Sequence, residues 1–500
     1  MRPQKRSAII IGSGVAGIAS AIRLAVQGFD VSVFEKNDKP GGKLSAFEKD
    51  GFKFDSGPSL FTQPQNIEEL FTLANEPIEK YFTYKKIDIA CKYFYENGKE
   101  INAYTDANLF ATELQTTVNE NPETVKKYLS TSEKIYNNIG AIFLNYSLHK
   151  KSTWFHYRFF KGLKTLKFSY IFSSLNNYNK KFKAKETQQI FNRYATYNGS
   201  NPFKAPAMLS LIPHLEQNQG TFFPKGGMVN ITNALYKLAI KKGVKFHFGA
   251  NVQNVICPAK TAKGIVVNNQ NIYADVVVSN SDMYFTYKNL LNNESKANKI
   301  LKQERSSSAL VFYWGINTSF TKLGLHNILF AENYAQEFNA IFKTKTIHKD
   351  PTIYINITSK EEATQAPTNN ENWFVMINVP AQTNYEADKL KALAKKYIVT
   401  KLNRMLQTNI EEHIVFEDSL HPQLIESNTS SYLGSLYGTS SNSKMAAFLR
   451  HSNFVPGIKN LYCCGGSVHP GGGIPLCLKS AKIVTDIIQH DFKKNKIKHV

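Results

Sequence analysis

Three observations predict an α/β fold in which a nucleotide-binding core is interleaved with an α+β second domain. The chain opens on a short apolar strand, a glycine-rich turn, an amphipathic helix and a second strand, all within its first 35 residues. Apolar strand-like runs return at Ala274–Ser279 and Asn460–Cys464, far along the chain. Between them lie long stretches of different character, and 500 residues are too many for one simple core.

Each element has its own signal. Ser7–Ile11 is short, apolar and rich in Ile, the pattern of a buried parallel strand. Gly14–Gln27 places Ile18, Ala21, Ile22 and Ala25 on one helical face, and Gly28 fits the position just past its C-terminus. Asp30–Glu35 completes a βαβ opening. Residues 62–215 carry helical stretches, many aromatics and few glycines. Leu235–Ile240 is helical, and Gly243–Val255 holds strands. Ala309–Trp314 and Phe374–Val379 are strand-like runs, and Glu361–Asn372 is a polar loop. Tyr385–Leu406 has helical period, and a final helix is expected from about Leu476. The chain is expected to divide into a discontinuous core (1–90, 220–300 and 440–500) and a second domain (90–220 and 300–440).

Composition excludes several classes. Hydrophobic content is 42% and charged content 20%, which is globular and not disordered. The formal charge of +22 favours anionic partners such as membrane headgroups, nucleic acid or an acidic cofactor. Five scattered cysteines make no disulfide framework and no CxxC metal pattern, so a reducing cytoplasm is expected and no metal. Adjacent Cys463 and Cys464 are expected as small strand residues, not a redox pair. The charged start and short apolar run end in a glycine-rich turn, not a cleavage site, and no run is long enough to span a bilayer.

The chemistry starts at Gly12, Gly14 and Gly17, which form GxGxxG between a strand and a helix. The first glycine makes the turn, the second admits a pyrophosphate to the backbone, and the third lets helix and strand pack closely. Free N–H groups at the helix start, beginning with Val15, then face the phosphates. Glu35, 18 residues after Gly17 and followed by Lys36, can accept hydrogen bonds from both ribose hydroxyls and disfavours a 2′-phosphate. Gly41, Gly42 and Lys43 suit a second approach to the pyrophosphate, which favours a flavin dinucleotide over a nicotinamide one. Asp55, Gly57, Pro58 and Ser59 form a turn able to run past the flavin.

These residues resemble a known family. GSGVAG, FEKNDKPGGKLSAF and FDSGPSL are similar to the N-terminal signature of FAD-dependent amine oxidases and phytoene desaturases. CCGGSVHPGGGIPLCLKSAKI (Cys463–Ile483) is similar to the closing motif of bacterial carotenoid desaturases, and FFPKGGMVNITNAL, HFGANVQNV and ADVVVSNSD match further blocks in order. GGSVHPGGGIP resembles 1-hydroxycarotenoid 3,4-desaturases more than phytoene desaturases. The resemblance implies a Rossmann-like FAD-binding fold of this type, FAD as cofactor, and a carotenoid as substrate. It implies that Gly12, Gly14, Gly17 and Glu35 hold the ADP part and that Val252 meets the adenine. Gly42 and Lys43 would lie by the pyrophosphate with Asn280 in the same site, and Gly466 and Ser467 would face the pyrophosphate or ribityl chain. Gly473, Ile474 and Pro475 would pack by the isoalloxazine, where a helix N-terminus stabilises negative charge on the reduced ring.

The implied reaction removes a hydride from an allylic carbon and a proton from its neighbour, with oxygen or a quinone as final acceptor. His469, in HPGGG, either shapes the pocket or moves that proton. Asp282 is expected to cap or turn the chain rather than act as a base. Rival readings within the resemblance are a phytoene desaturase, a carotenoid isomerase or saturase, an amine oxidase, or a non-enzymatic escort of prenylated proteins.

Lys150–Lys185 holds ten Lys or Arg, no Asp or Glu, and ten aromatics. Cations interleaved with aromatics suit an anionic membrane surface, so peripheral attachment to the cytoplasmic membrane is expected there. The alternatives are a basic face over a core that buries these aromatics, and nucleic-acid binding, which the flavoenzyme character of the rest disfavours.

Overall fold

The computed structural model describes residues 5–155, 170, 172–443 and 450–497. A five-stranded parallel sheet has the order Leu461–Cys463, Val276–Ser279, Ser7–Ile11, Asp30–Phe34, Lys245–His247. The opening strand is therefore central, which explains its burial on both faces. Its alternation sorts two cores: Ala8 and Ile10 join one cluster, Ile9 and Ile11 another. On the first face the helices Val15–Val26, Val229–Lys241 and Ile474–Ile497 pack through Ile18, Ile22, Leu235, Leu238, Val484 and Ile488. On the second lies a three-stranded antiparallel sheet, Val252–Ile256, Gly264–Val267 and Gln270–Tyr273. Cys463 and Cys464 are buried free thiols at the edge strand.

A second, seven-stranded sheet is built around the long antiparallel pair Ser308–Ile316 and Glu371–Val379, with Phe312 opposite Val375. One face carries Leu310, Phe312, Trp314 and Ile316 onto the helix Ala387–Leu406 through Ala394, Ile398 and Leu402. The other turns Ala309, Val311 and Phe374 toward a cavity. Ile89–Phe94 and Glu100–Tyr104 extend this sheet, with Ile89–Phe94 parallel to His326–Leu329. The region 62–215 is thus not only helical. Alternation around Cys91, Tyr93 and Ile101, all buried, makes strands where aromatic density hides the period. Helices Ala107–Val118 and Pro122–Ile135 follow, each capped by a side chain at its start, Asp106 and Asn121.

The final helix starts at Ile474, slightly before the expected position. Asp282 caps a turn by accepting from the Tyr284 N–H at 2.9 Å. It also forms a buried ion pair with Arg305 at 2.5 Å. Arg305 in turn donates to Ser435 Oγ at 2.9 Å, which ties the segment 435–438 to the core.

Gly17 sits where the first helix crosses the first turn: a Cβ there would lie 2.1 Å from the Gly12 carbonyl oxygen. Backbone cannot yield as a flexible side chain can. Gly17→Ala is expected to destabilise the fold by about 1–3 kcal/mol, the usual cost of overpacking. Urea denaturation checks it; unchanged stability would contradict this packing.

Candidate functional site

Two glycine turns meet back to back at the top of the central strand. Gly12 takes φ +94° and donates its N–H to the Phe34 carbonyl at 2.8 Å. Gly41 donates to the Ser13 carbonyl at 2.9 Å, and a Cβ on Gly42 would sit 3.3 Å from Gly14 Cα. No side chain stands between these backbones, and the helix starting at Val15 has no side-chain cap. Its free N–H groups remain available to an anion. Glu35 is 6% exposed and accepts from the Ser13 N–H at 2.7 Å and the Asn37 N–H at 3.0 Å. The Ala250 N–H donates to the Glu35 carbonyl at 2.8 Å, which brings Val252 beside the acid.

From here one cavity of about 930 Å³ runs to the second sheet. The residues put forward above for the cofactor or for catalysis line it, save Gly17, whose role is packing, and Asp55, which accepts from the Met228 and Val229 N–H groups at 2.8 and 2.9 Å. Lys36 reaches across its mouth to the Ser427 carbonyl at 2.5 Å and Ser430 Oγ at 3.0 Å. Lys43 donates to the carbonyls of Ser435 and Leu436 at 3.1 and 2.8 Å. Burial is the main reason its ammonium is pushed down to about 8; Asp282 opposes that shift. The Gly57 turn presses on the same loop: a Cβ there would lie 1.8 Å from the Lys43 carbonyl oxygen. Asn280 takes its place through its N–H to the Ile11 carbonyl at 2.8 Å. Ser467 Oγ accepts from the Met283 N–H at 3.1 Å, while Gly473, at φ +98°, has open space where a side chain would stand.

Sequence reasoning missed Arg450. It is buried, lines the cavity, and donates Nη1 to the Tyr437 carbonyl at 2.6 Å and the Gly466 carbonyl at 3.3 Å. Its Nη2 is buried with no hydrogen-bond partner among the described residues. Burial, with Arg305 nearby, pushes it down to about 10. No motif surrounds Arg450, so nothing in the sequence marks it.

His469 is 3% exposed, and its Nε2 lies 2.9 Å from the Tyr146 carbonyl. A carbonyl only accepts, so Nε2 carries the ring proton. Burial is the main cause that pushes His469 down to about 4, with His149 and Arg450 adding to it. Its neighbour across the turn, His451, is also pushed down to about 4 by burial.

Glycine turns at the end of a central parallel strand, an acid at the end of the next strand, and a long cavity define a dinucleotide-binding α/β fold. The family model for flavin containing amine oxidoreductase matches residues 15–488, and the chain belongs to that family: it is an FAD-dependent oxidoreductase. The chain is 50% identical over 97% of its length to the 1-hydroxycarotenoid 3,4-desaturase of Flavobacterium sp. (strain P99-3), covering 99% of that protein. It is 32% identical over 98% of its length to the 4,4′-diaponeurosporene oxygenase of Staphylococcus aureus (strain MSSA476), covering 99% of it. Among solved structures, putrescine oxidase bound to putrescine matches with TM-score 0.62 at 14% identity, covering 98% of this chain and 99% of that one. A Rab GDI from Plasmodium falciparum matches at TM-score 0.53 and 12% identity, covering 97% and 98%. These two show the fold alone.

The residues fit FAD. Bare glycine backbones and a helix start suit a pyrophosphate, Glu35 suits a ribose diol, and the orphan Nη2 of Arg450 offers a buried donor.

Both buried histidines have folded values below their unfolded ones. Their contribution is therefore complete above about pH 6.5 and is lost as pH falls toward 4. At pH 5 each should have given up roughly 2 kcal/mol. Urea denaturation at pH 7.5 and pH 5 should show that loss, and His469→Asn should remove about half of the drop the pair produces. An unchanged drop in the variant would contradict a buried neutral His469.

Proposed function

We propose that this oxidoreductase introduces the 3,4 double bond of a 1-hydroxylated carotenoid. The observation that carries the reading is the 50% identity, across nearly both full lengths, to a desaturase of that name. The shape of the cavity supports it. Its lining includes Leu209, Leu211, Ile212, Ile328, Phe374 and Met376, side chains that suit an apolar chain.

FAD, when bound, supplies the acceptor for a hydride. The protein's task is to place an allylic carbon against it. In this reading Gly12, Gly14, Val15, Glu35, Lys36 and Val252 hold the adenosine end. Gly42, Lys43, Asn280, Gly466 and Ser467 hold the middle. Gly57, Pro58, Gly473, Ile474 and Pro475 frame the ring. Arg450 joins them as a buried cation. His469 acts by shaping the glycine turn against Tyr146, since burial makes it a weak base near neutral pH. Residues 1–90, 220–300 and 440–500 form the FAD-binding part, and 90–220 and 300–440 the substrate part. Oxygen or a quinone takes the electrons onward.

With a 1-hydroxylated carotene in liposomes under air, the product should be lighter by two hydrogens and absorb at longer wavelength. Removing oxygen should stop turnover unless a quinone restores it. A desaturated product from phytoene alone would overturn the 3,4 assignment.

Peripheral binding to the cytoplasmic membrane through 150–185 belongs to the same proposal. Residues 156–169 and 171 lie outside the described residues. On either side of them, Trp154, Phe155 and Phe172 are 42%, 81% and 59% exposed. Tyr170, Leu175 and Phe182 are instead buried, so the C-terminal part of the segment serves the core. Among the described residues no helix is long and apolar enough to cross a membrane. Phe155→Ser with Phe172→Ser is expected to lower co-sedimentation with anionic liposomes several-fold, by removing apolar area from the lipid boundary. Unchanged co-sedimentation would refute attachment at this face.

A further inference from the structure

A carotenoid offers almost nothing to hydrogen-bond. In the substrate proposed above, one hydroxyl stands three bonds from the nearer reacting carbon. A group that reads it must lie beside the reacting atoms, not at the far end of the cavity.

We infer that Ser59, held by Tyr354 and His326, is the subsite that hydrogen-bonds the substrate hydroxyl; this rests on the reading of the substrate as a 1-hydroxylated carotenoid. The three residues form a chain: Ser59 Oγ lies 2.7 Å from Tyr354 Oη, and Tyr354 Oη lies 2.8 Å from His326 Nδ1. All three line the cavity.

At the inner end of the chain, Asn356 Nδ2 donates to the Leu325 carbonyl at 3.0 Å and lies 3.1 Å from His326 Nδ1, so the imidazole is held in place. Ser59 Oγ is held by Tyr354 and has no second partner among the described residues. A serine hydroxyl carries one proton and two lone pairs, so capacity for a second hydrogen bond remains whichever of the two hydroxyls donates to the other. A substrate hydroxyl can pair with it, whereas the methyl or methylene of an unhydroxylated end group cannot.

Position agrees with chemistry. Ser59 follows the Gly57 turn that presses on the Lys43 loop and bonds Tyr354 on the strand Ile353–Ile357, so it links the nucleotide end of the cavity to the second sheet. In a second polar cluster on the wall, Glu216 accepts from Arg193 at 3.0 Å, from Tyr194 at 3.0 Å and from Tyr197, so its carboxylate is already engaged.

The test compares wild type, Ser59→Ala and Ser59→Thr on a 1-hydroxylated carotene and on its unhydroxylated counterpart, with flavin content measured for each. Ser59→Ala should keep its flavin and lose about ten- to a hundredfold in kcat/KM on the hydroxylated substrate only, the scale of one lost buried hydrogen bond. Ser59→Thr, which keeps the hydroxyl, should recover most of it. Tyr354→Phe should lower the same selectivity, because Ser59 loses its anchor. If Ser59→Ala keeps the wild-type preference, or loses its flavin, the subsite is wrong. A wild type that converts both substrates equally also overturns it while leaving a carotenoid desaturase in place. A wild type that converts neither sinks the substrate reading itself.

Discussion

The structure depends on a close approach of backbone to backbone above the central strand. Gly12 turns the chain, Gly17 lets the first helix cross that turn, and Gly42 brings a second loop against Gly14. Side chains at these points would separate the two loops by their own width. With none there, two rows of main-chain groups and one uncapped helix start converge on a single place, and the acid at Glu35 closes it on the side of the next strand. The parallel sheet makes this geometry durable, because both strands involved are buried on two faces.

That fixed end gives the rest of the cavity its meaning. The second sheet uses one face for its own core and turns the other toward the nucleotide end. Segments from far along the chain are tied to the same loops by buried polar contacts: Lys43 to 435–436, Arg305 to Asp282 and Ser435, and Arg450 to Tyr437 and Gly466. A buried cation with a missing partner is costly, so each such group is held by carbonyls, a carboxylate or a ligand. The cavity thus joins an anion-accepting end to an apolar lobe, the combination that a flavin and a long hydrocarbon require.

Legibility in the sequence followed distance along the chain. The βαβ opening could be read because its signals are local: apolar run, glycine spacing, helical period and the acid at Glu35. The closing glycine turn and its helix were legible for the same reason. The strands at Tyr84–Ile87, Ile89–Phe94 and Glu100–Tyr104 were not, since their period is masked by aromatics and lysines. Arg450 and the Ser59–Tyr354–His326 chain were also illegible. Ser59 meets Tyr354 only after the fold brings together residues 295 apart, and the carbonyls around Arg450 come from two separate turns, so neither has a local pattern.

The central claim is that the flavin end and the apolar lobe form one reaction chamber. Anaerobic rapid mixing of the FAD-loaded protein with one equivalent of a 1-hydroxylated carotene in detergent tests it most directly. The oxidised flavin band is expected to bleach in a single phase as a longer polyene appears, in equal amounts. A flavin band that stays oxidised while the carotenoid is bound would contradict it.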